Sequence, residues 1–308
     1  MNLQSLLNSR RAGKIALYTS RLLPPDLGQR FAFSLADRIA SRNHLPLMVA
    51  LRANRWIISD GKLSGRSLDE AARQNLRHVA HSFYTLFHNM NDPEALQRLV
   101  SFPPKVEELI SRSQERKEGL IITGVHLSNF DLVFQAAAQR GLHAVGLSIP
   151  EASEAIEWQH SYRRMAGLEI LPASVKNFRQ VITRLKAGQV VVTGIDRPVD
   201  GVKSHPRFFG HPACVPVHHI HLALKAEAPI IIIGAILGSD GIYHVQSSDY
   251  LNMRRFPDHQ TEIVWNAERV LEIAEDIIRQ APDQWAVMQP VWPDLLAEVP
   301  TEVKNAGH

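Results

Sequence analysis

The sequence predicts an α/β fold with a mostly parallel central sheet flanked by helices, preceded by a helical N-terminal region. Three observations lead there. Short, near-continuous apolar runs recur from Leu120 onward; amphipathic stretches alternate with them; and the residues before Leu120 show only the three-and-four spacing of helices. Strands buried on both faces by crossover helices carry this pattern. The chain has 308 residues, 45% apolar and 21% charged, enough for a packed core and unlike a disordered chain. No linker, repeat or low-complexity tract interrupts it. A single domain over 1–308 is therefore expected, with a helical part at 1–115 and an α/β part at 116–295.

The net charge is only +3, but the first stretch is basic. Arg10, Arg11, Lys14 and Arg21 precede the first acidic residue, Asp26, and are interspersed with Leu3, Leu6, Leu7, Ile15, Leu17, Leu22 and Leu23. This reads either as an interfacial helix drawn to anionic lipid or as a surface helix with one buried face. No apolar core of signal-peptide length follows the early basic residues. The apolar stretch 228–239 falls short of the roughly 20 residues that a spanning helix needs, so a soluble or peripheral protein is expected.

Farther on, Ser67-Leu68-Asp69-Glu70 has the capping-box spacing of a helix start. Leu68, Ala72, Leu76, Val79, Phe83 and Leu86 then mark one buried face, and Asn91-Asp92-Pro93 stops the helix. Strands are predicted over 120–125, 142–149, 190–196, 229–237 and 242–247. Helices are predicted over 129–140, 152–166, 175–187 and 216–226. A last helix over 261–280 carries the stripe Ile263, Val264, Ala267, Val270, Leu271, Ala274, Ile277 and Ile278.

The chemistry concentrates where the first of these strands ends. His126 follows Val125, and a carboxylate, Asp131, comes five residues later at the start of a helix. A histidine at a strand end can act as a base near neutral pH, and a neighbouring carboxylate can orient it. Ser128-Asn129-Phe130-Asp131 is equally a capping-box pattern, with Ser128 as cap. The two readings are compatible, and the helix-start amides could stabilise an oxyanion. Asp196 and Arg197 follow another buried strand, where sites gather in open α/β sheets; otherwise they form a local ion pair at a turn with Pro198 and Gly201. Asp200 is a weaker carboxylate candidate.

His218 and His221 share a helix face, but no further ligand pair accompanies them, so no metal is expected. No phosphate-binding glycine loop and no nucleophile elbow occur, which points to chemistry without a covalent enzyme intermediate. Cys214 is the only cysteine, which rules out an intramolecular disulfide. It is expected to pack in the core.

The run Val125-His126-Leu127-Ser128-Asn129-Phe130-Asp131 resembles the histidine–four residues–acid motif of glycerolipid and lipid A acyltransferases. Further segments follow in that family's order. They are Tyr162-Arg163-Arg164-Met165-Ala166-Gly167 leading to a short strand, Gly188 to Ile195 ending in Asp196-Arg197, Phe208-Phe209-Gly210, Ala228-Pro229-Ile230, and Ala281-Pro282-Asp283-Gln284-Trp285. The resemblance spans roughly residues 20–295. It is greatest to the lipid A lauroyl acyltransferase and phosphatidylinositol mannoside acyltransferase branch, and Asp196-Arg197 leans towards the second group. Two mild departures are Asp131 for the lipid A enzymes' usual Glu and Phe130 for their Trp. After Trp285, Ala286 to Trp292 lacks their usual basic cluster, which implies an acceptor of different charge.

The resemblance implies a glycerolipid acyltransferase-like fold and transfer of a fatty acyl group from acyl-CoA or acyl carrier protein to a hydroxyl of a membrane glycolipid or phospholipid. His126 and Asp131 would be catalytic. Arg163, or Arg164 in its place, would bind phosphate on the donor. Asp196 and Arg197 would line the site. It implies no cofactor beyond the acyl donor, no metal, and a peripheral place on the cytoplasmic face of the membrane, reached through the basic N-terminus; no nucleic-acid partner is expected. The alternatives are a thioesterase or lipid hydrolase using the same dyad on water, and a non-catalytic lipid-binding module.

Overall fold

A computed structural model describes residues 19–20, 22–90, 92–149, 154–296 and 299–304. The basic residues Arg10, Arg11, Lys14 and Arg21 lie outside the described residues. The helical N-terminal region comprises α1 (Pro25–Ala40), α2 (Pro46–Ile58), α3 (Gly65–Asn89), α4 (Pro93–Leu99) and α5 (Pro104–Glu115). All but α3 open on a proline. Proline suits a helix start because its missing N–H would have no intrahelical partner there and its φ is already helical.

The start of α3 differs from the predicted one. The helix begins at Gly65, and the Ser64 N–H donates to Ser67 Oγ at 3.1 Å. Ser67 is thus the partner inside the helix and not the cap, and Glu70 is bonded to Gln74 and Arg73 on the surface. The predicted stop is where the chain breaks: α3 ends at Asn89, and Asp92 caps α4 by accepting from the Ala95 N–H at 2.9 Å.

Then follow β2 (Leu120–Gly124), α6 (Phe130–Gln139), β3 (Ala144–Ser148), α7 (Glu154–Met165), β4 (Glu169–Pro172), α8 (Val175–Lys186) and β5 (Val190–Gly194). A small hairpin, β6 (Arg207–Phe208) with β7 (His211–Pro212), precedes α9 (His218–Ala226), β8 (Ile230–Leu237), β9 (Tyr243–Ser247), α10 (His259–Gln280) and α11 (Thr301–Lys304). Residues Val100–Ser101 form a short edge strand, β1, that periodicity alone does not mark because two residues carry no period.

The sheet has seven strands in the order β1-β9-β8-β2-β5-β3-β4. Strands β8, β2, β5, β3 and β4 are mutually parallel; β9 runs antiparallel to β8, and β1 runs parallel to β9. The sheet is therefore mostly parallel, as predicted. Alternate residues feed two cores. Ile121, Val191, Ile230 and Ile232 face one way, onto α8, α9 and α10. Leu120, Ile122, Val190 and Ile231 face the other, onto α5, α6 and Trp158 of α7. Residues apolar at every position are what a strand covered on both sides requires.

The chain leaves β2 towards β3 on one side and leaves β5 towards β8 on the other. The carboxyl ends of β2 and β5 thus form the point where the winding direction reverses, the usual crevice for a ligand in such sheets. Among the described residues no helix is long and apolar enough to cross a membrane.

Candidate active site

Strands β2 and β5 are nearest neighbours in exact register, with Thr123 opposite Thr193 and Gly124 opposite Gly194. Two residues beyond each glycine stand His126 and Asp196, so equal steps along paired strands deliver both side chains to one place. His126 Nδ1 lies 2.6 Å from Asp196 Oδ1, and the His126 backbone N–H donates to Asp196 Oδ2 at 2.8 Å. Trp285 Nε1–H donates to the same Oδ2 at 2.8 Å. Asp196 has no exposed surface. Burial pushes its carboxyl up, but the His126 charge and the hydrogen bonds from His126 and Trp285 outweigh burial and hold it below the usual carboxylate range. An ionised carboxylate only accepts, so Nδ1 carries the proton and donates, leaving Nε2 with a free lone pair.

The imidazole is confined on other sides. A Cβ at Gly194 would fall 2.6 Å from His126 Cε1, so the ring occupies the space a side chain there would fill. The Phe130 ring meets it edge-on, with centroids 4.6 Å apart. A Cβ at Gly124, in contrast, would meet no atom within 4 Å.

The open space beside Gly124 belongs to a cavity of about 960 Å³. Its floor is one face of the sheet, where Ile122, Gly124, Gly146, Val192 and Gly194 leave shallow side chains. Its walls include Leu109 and Ile110 of α5 and Val133 and Ala137 of α6. His126, Asp131, Arg163, Arg197 and Asp200 are on its lining, together with the imidazoles of His160, His218 and His221. The result is a largely apolar space with an imidazole and two guanidinium groups on its lining.

Asp131 does not contact the imidazole. Its Oδ1 accepts from Arg163 Nε at 2.7 Å and lies 2.5 Å from Arg163 Nη2. Asp196, and not Asp131, is therefore the carboxylate that orients His126. The physical reason is topological: Asp131 starts α6, which carries it away from β2 towards α7, whereas Asp196 leaves the neighbouring strand in register. Arg163 is thereby neutralised by a local partner, and Arg164 is exposed and 3.5 Å from Glu157. Arg197 has a buried Nε without a hydrogen-bond partner among the described residues. Burial lowers its pKa, opposed by the charges of Asp196 and Asp131.

Ser128 is not the cap of α6. Its φ of +52° turns the backbone so that Oγ lies 3.1 Å from His78 Nε2, and Asn129 takes the cap, accepting from the Leu132 N–H at 3.4 Å. His218 Nε2 is 2.7 Å from Thr193 Oγ1, and burial, reinforced by His221, pushes its pKa down to about 4. Among the described residues no group of three or more His, Cys, Asp or Glu side chains is placed to hold a metal. Cys214 is half-buried, its Sγ 3.7 Å from His205 Nδ1; it sits at the rim of the core and not within it.

A family model described as bacterial lipid A biosynthesis acyltransferase matches residues 63–293, most of the chain. The chain belongs to that family. No curated protein is similar enough to match it. As a member of the lipid A biosynthesis acyltransferase family, it is an acyltransferase by kinship, and the match covers α3 and the whole sheet.

The segments that resemble this acyltransferase family now have places. Phe208 and Phe209 end the β6 strand and its turn, where their rings pack with Trp285 and Trp292 behind the His126–Asp196 pair. Residues 281–286 run beside the loop after β2. The one partner that sequence reasoning missed is Asp196 as the carboxylate on the imidazole. A signal existed: Ile121-Ile122-Thr123-Gly124-Val125-His126 and Val191-Val192-Thr193-Gly194-Ile195-Asp196 share one pattern, as two strands ending at one site would.

Proposed function

We propose that this acyltransferase moves a fatty acyl group from a thioester, acyl-CoA or acyl carrier protein, to a hydroxyl of a membrane glycolipid or phospholipid, with His126 as general base and Asp196 as its orienting carboxylate. The observation that carries the reading is the His126–Asp196 pair, with His126 on the lining of a large, mostly apolar cavity. The acyl chain lies in the cavity, its thioester carbonyl near Nε2. The acceptor hydroxyl loses its proton to Nε2 as its oxygen bonds to the carbonyl carbon. The tetrahedral intermediate collapses with cleavage of the C–S bond, and the departing thiolate takes the proton back from the imidazolium, leaving ester and thiol. Asp196 stabilises the imidazolium without itself being protonated, as in hydrolase triads.

Arg197, with no carboxylate bonded to its Nε, is the cation suited to the developing oxyanion or to a phosphate of a substrate. Arg163 and Asp131 act as a pair that docks α7 against the start of α6 on the cavity lining.

The test is product analysis with a radiolabelled acyl thioester, with and without a glycolipid acceptor in detergent. The expected result is labelled acyl-lipid that appears only with the acceptor. Release of free fatty acid at the same rate in both reactions would overturn transfer in favour of a thioesterase.

Access to a lipid acceptor requires contact with a bilayer. On α1, Leu27, Phe31 and Leu35 recur every four residues and all are exposed, Phe31 by 59%; Leu22 lies just ahead, 82% exposed. A run of large apolar side chains facing solvent along one helix face is what an interfacial helix presents. We propose the peripheral contact here, on the cytoplasmic leaflet. Replacing Leu27, Phe31 and Leu35 together by serine is expected to lower co-sedimentation with anionic vesicles at least about tenfold, since each buried apolar side chain contributes about 1.5–3 kcal/mol. Unchanged co-sedimentation would remove α1 from the membrane contact.

A further inference from the structure

We infer that Trp285 is a positioning residue of the reaction: its indole N–H fixes the Asp196 carboxylate so that His126 is held as the Nδ1–H tautomer, with Nε2 basic. The inference rests on the proposed role of His126 as base.

Three independent contacts place Trp285 there. The first is the 2.8 Å bond from Nε1 to Asp196 Oδ2. The carboxylate thereby receives three N–H donors, two on Oδ2 and the imidazole on Oδ1, so its rotation about χ2 is blocked. The second is the backbone. Residues 284–286 lie antiparallel to 126–128: the Ser128 N–H donates to the Gln284 carbonyl, the Ala286 N–H donates to the His126 carbonyl, both at 2.7 Å, and Leu127 and Trp285 form a β-bridge. One segment thus holds the base by its main chain and the carboxylate by a side chain. The third is the anchoring of that segment by the N-terminal helices. Asn75 Nδ2 donates to the carbonyls of Asp283 and Trp285 at 2.9 and 2.7 Å, and Arg55 pairs with Asp283 at 2.7 Å.

A packing role alone would not need an indole. Trp285 is 1% exposed and surrounded by Phe208, Phe209 and Trp292, a setting that is aromatic and apolar on those sides. What phenylalanine lacks is the donor, and a buried indole N–H needs an acceptor. Trp292 supplies the contrast: it shares the same aromatic cluster, but its Nε1–H donates to the Phe208 carbonyl at 3.1 Å and does not reach the pair.

The test compares Trp285→Phe with Trp292→Phe and with His126→Ala, using kcat, KM and the pH dependence of kcat/KM for acyl transfer, with melting temperature as a control. Losing the indole donor leaves the carboxylate more basic. It then either holds the imidazole proton more firmly or becomes protonated itself as pH falls; both move the acid limb of the profile upward. Trp285→Phe is expected to lower kcat about 10- to 100-fold, the range for one hydrogen bond to a charged group. KM for the donor should stay within about twofold, and the acid limb should rise by about half to one pH unit. Trp292→Phe is expected to leave the limb in place.

An unmoved limb in Trp285→Phe, with His126→Ala inactive, would overturn this inference alone. Full transfer by His126→Ala would overturn the base itself. If Trp285→Phe does not fold, Asn75→Ala, which frees the Trp285 carbonyl, decides: a raised limb supports the positioning role and an unmoved one refutes it.

Discussion

His126→Ala is expected to lower acyl transfer by about 10²–10⁴-fold, the usual contribution of a general base, while the protein stays folded. The loss follows from geometry. His126 lines the cavity, its Nδ1 is committed to Asp196 at 2.6 Å, and Nε2 is left as the acceptor for a hydroxyl proton. Two other imidazoles on the cavity lining are already engaged. His160 is buried with Nε2 2.8 Å from Ser148 Oγ, and His218 is spent on Thr193. The fold should tolerate the change because the ring sits on the cavity lining over Gly194 and not within either core. The measurement is initial-rate transfer beside circular dichroism melting. A folded His126→Ala protein with wild-type turnover would remove the mechanism.

Asp196→Asn is expected to cost about 10³–10⁴ in kcat, the scale of a wrong-tautomer substitution in a triad. The carboxylate accepts three N–H groups, and an amide offers only one oxygen. The orientation that satisfies most donors points that oxygen at the His126 and Trp285 N–H groups and turns the NH₂ towards Nδ1. Nδ1 must then accept, the proton moves to Nε2, and the basic nitrogen is lost. Asp131→Asn changes a different thing. It removes the charge opposite Arg163 but leaves Asp196 on the imidazole, so its effect should be much smaller and should fall mainly on KM. Kinetics of the two variants side by side check the assignment. Equal losses in kcat would return Asp131 to the role that its spacing from His126 suggests.

That contrast shows how far the residues could be read in order. Most of the five longer strands were legible because they are compact apolar runs, β9 because Tyr243 and Val245 alternate with polar residues, and the helices because their buried residues recur at three and four. Helix starts were less so. Ser67 and Ser128 both satisfy a capping pattern, yet Ser64 and Asn129 hold those positions, since backbone turns just upstream set which side chain faces the free amides. The short strand β1 and the β6–β7 hairpin have too few residues for any period. The exposure of Leu27, Phe31 and Leu35 on α1 is decided by tertiary packing, because amphipathic spacing does not say what the apolar face meets.

The chain order alone was enough to establish an α/β protein of an acyltransferase kind, with a histidine poised at the end of its first long strand. Local composition and spacing suffice for the fold class, and the likeness of several ordered segments to the acyltransferase family for the rest. Which carboxylate serves that histidine was decided only in three dimensions. Asp131 is five residues away along the chain and pairs with Arg163. Asp196 is seventy residues away and bonds to His126, because β5 lies beside β2 in register and both chains leave the sheet at the same height. Trp285 arrives at the same carboxylate from near the C-terminal end, through contacts that no sequence spacing encodes.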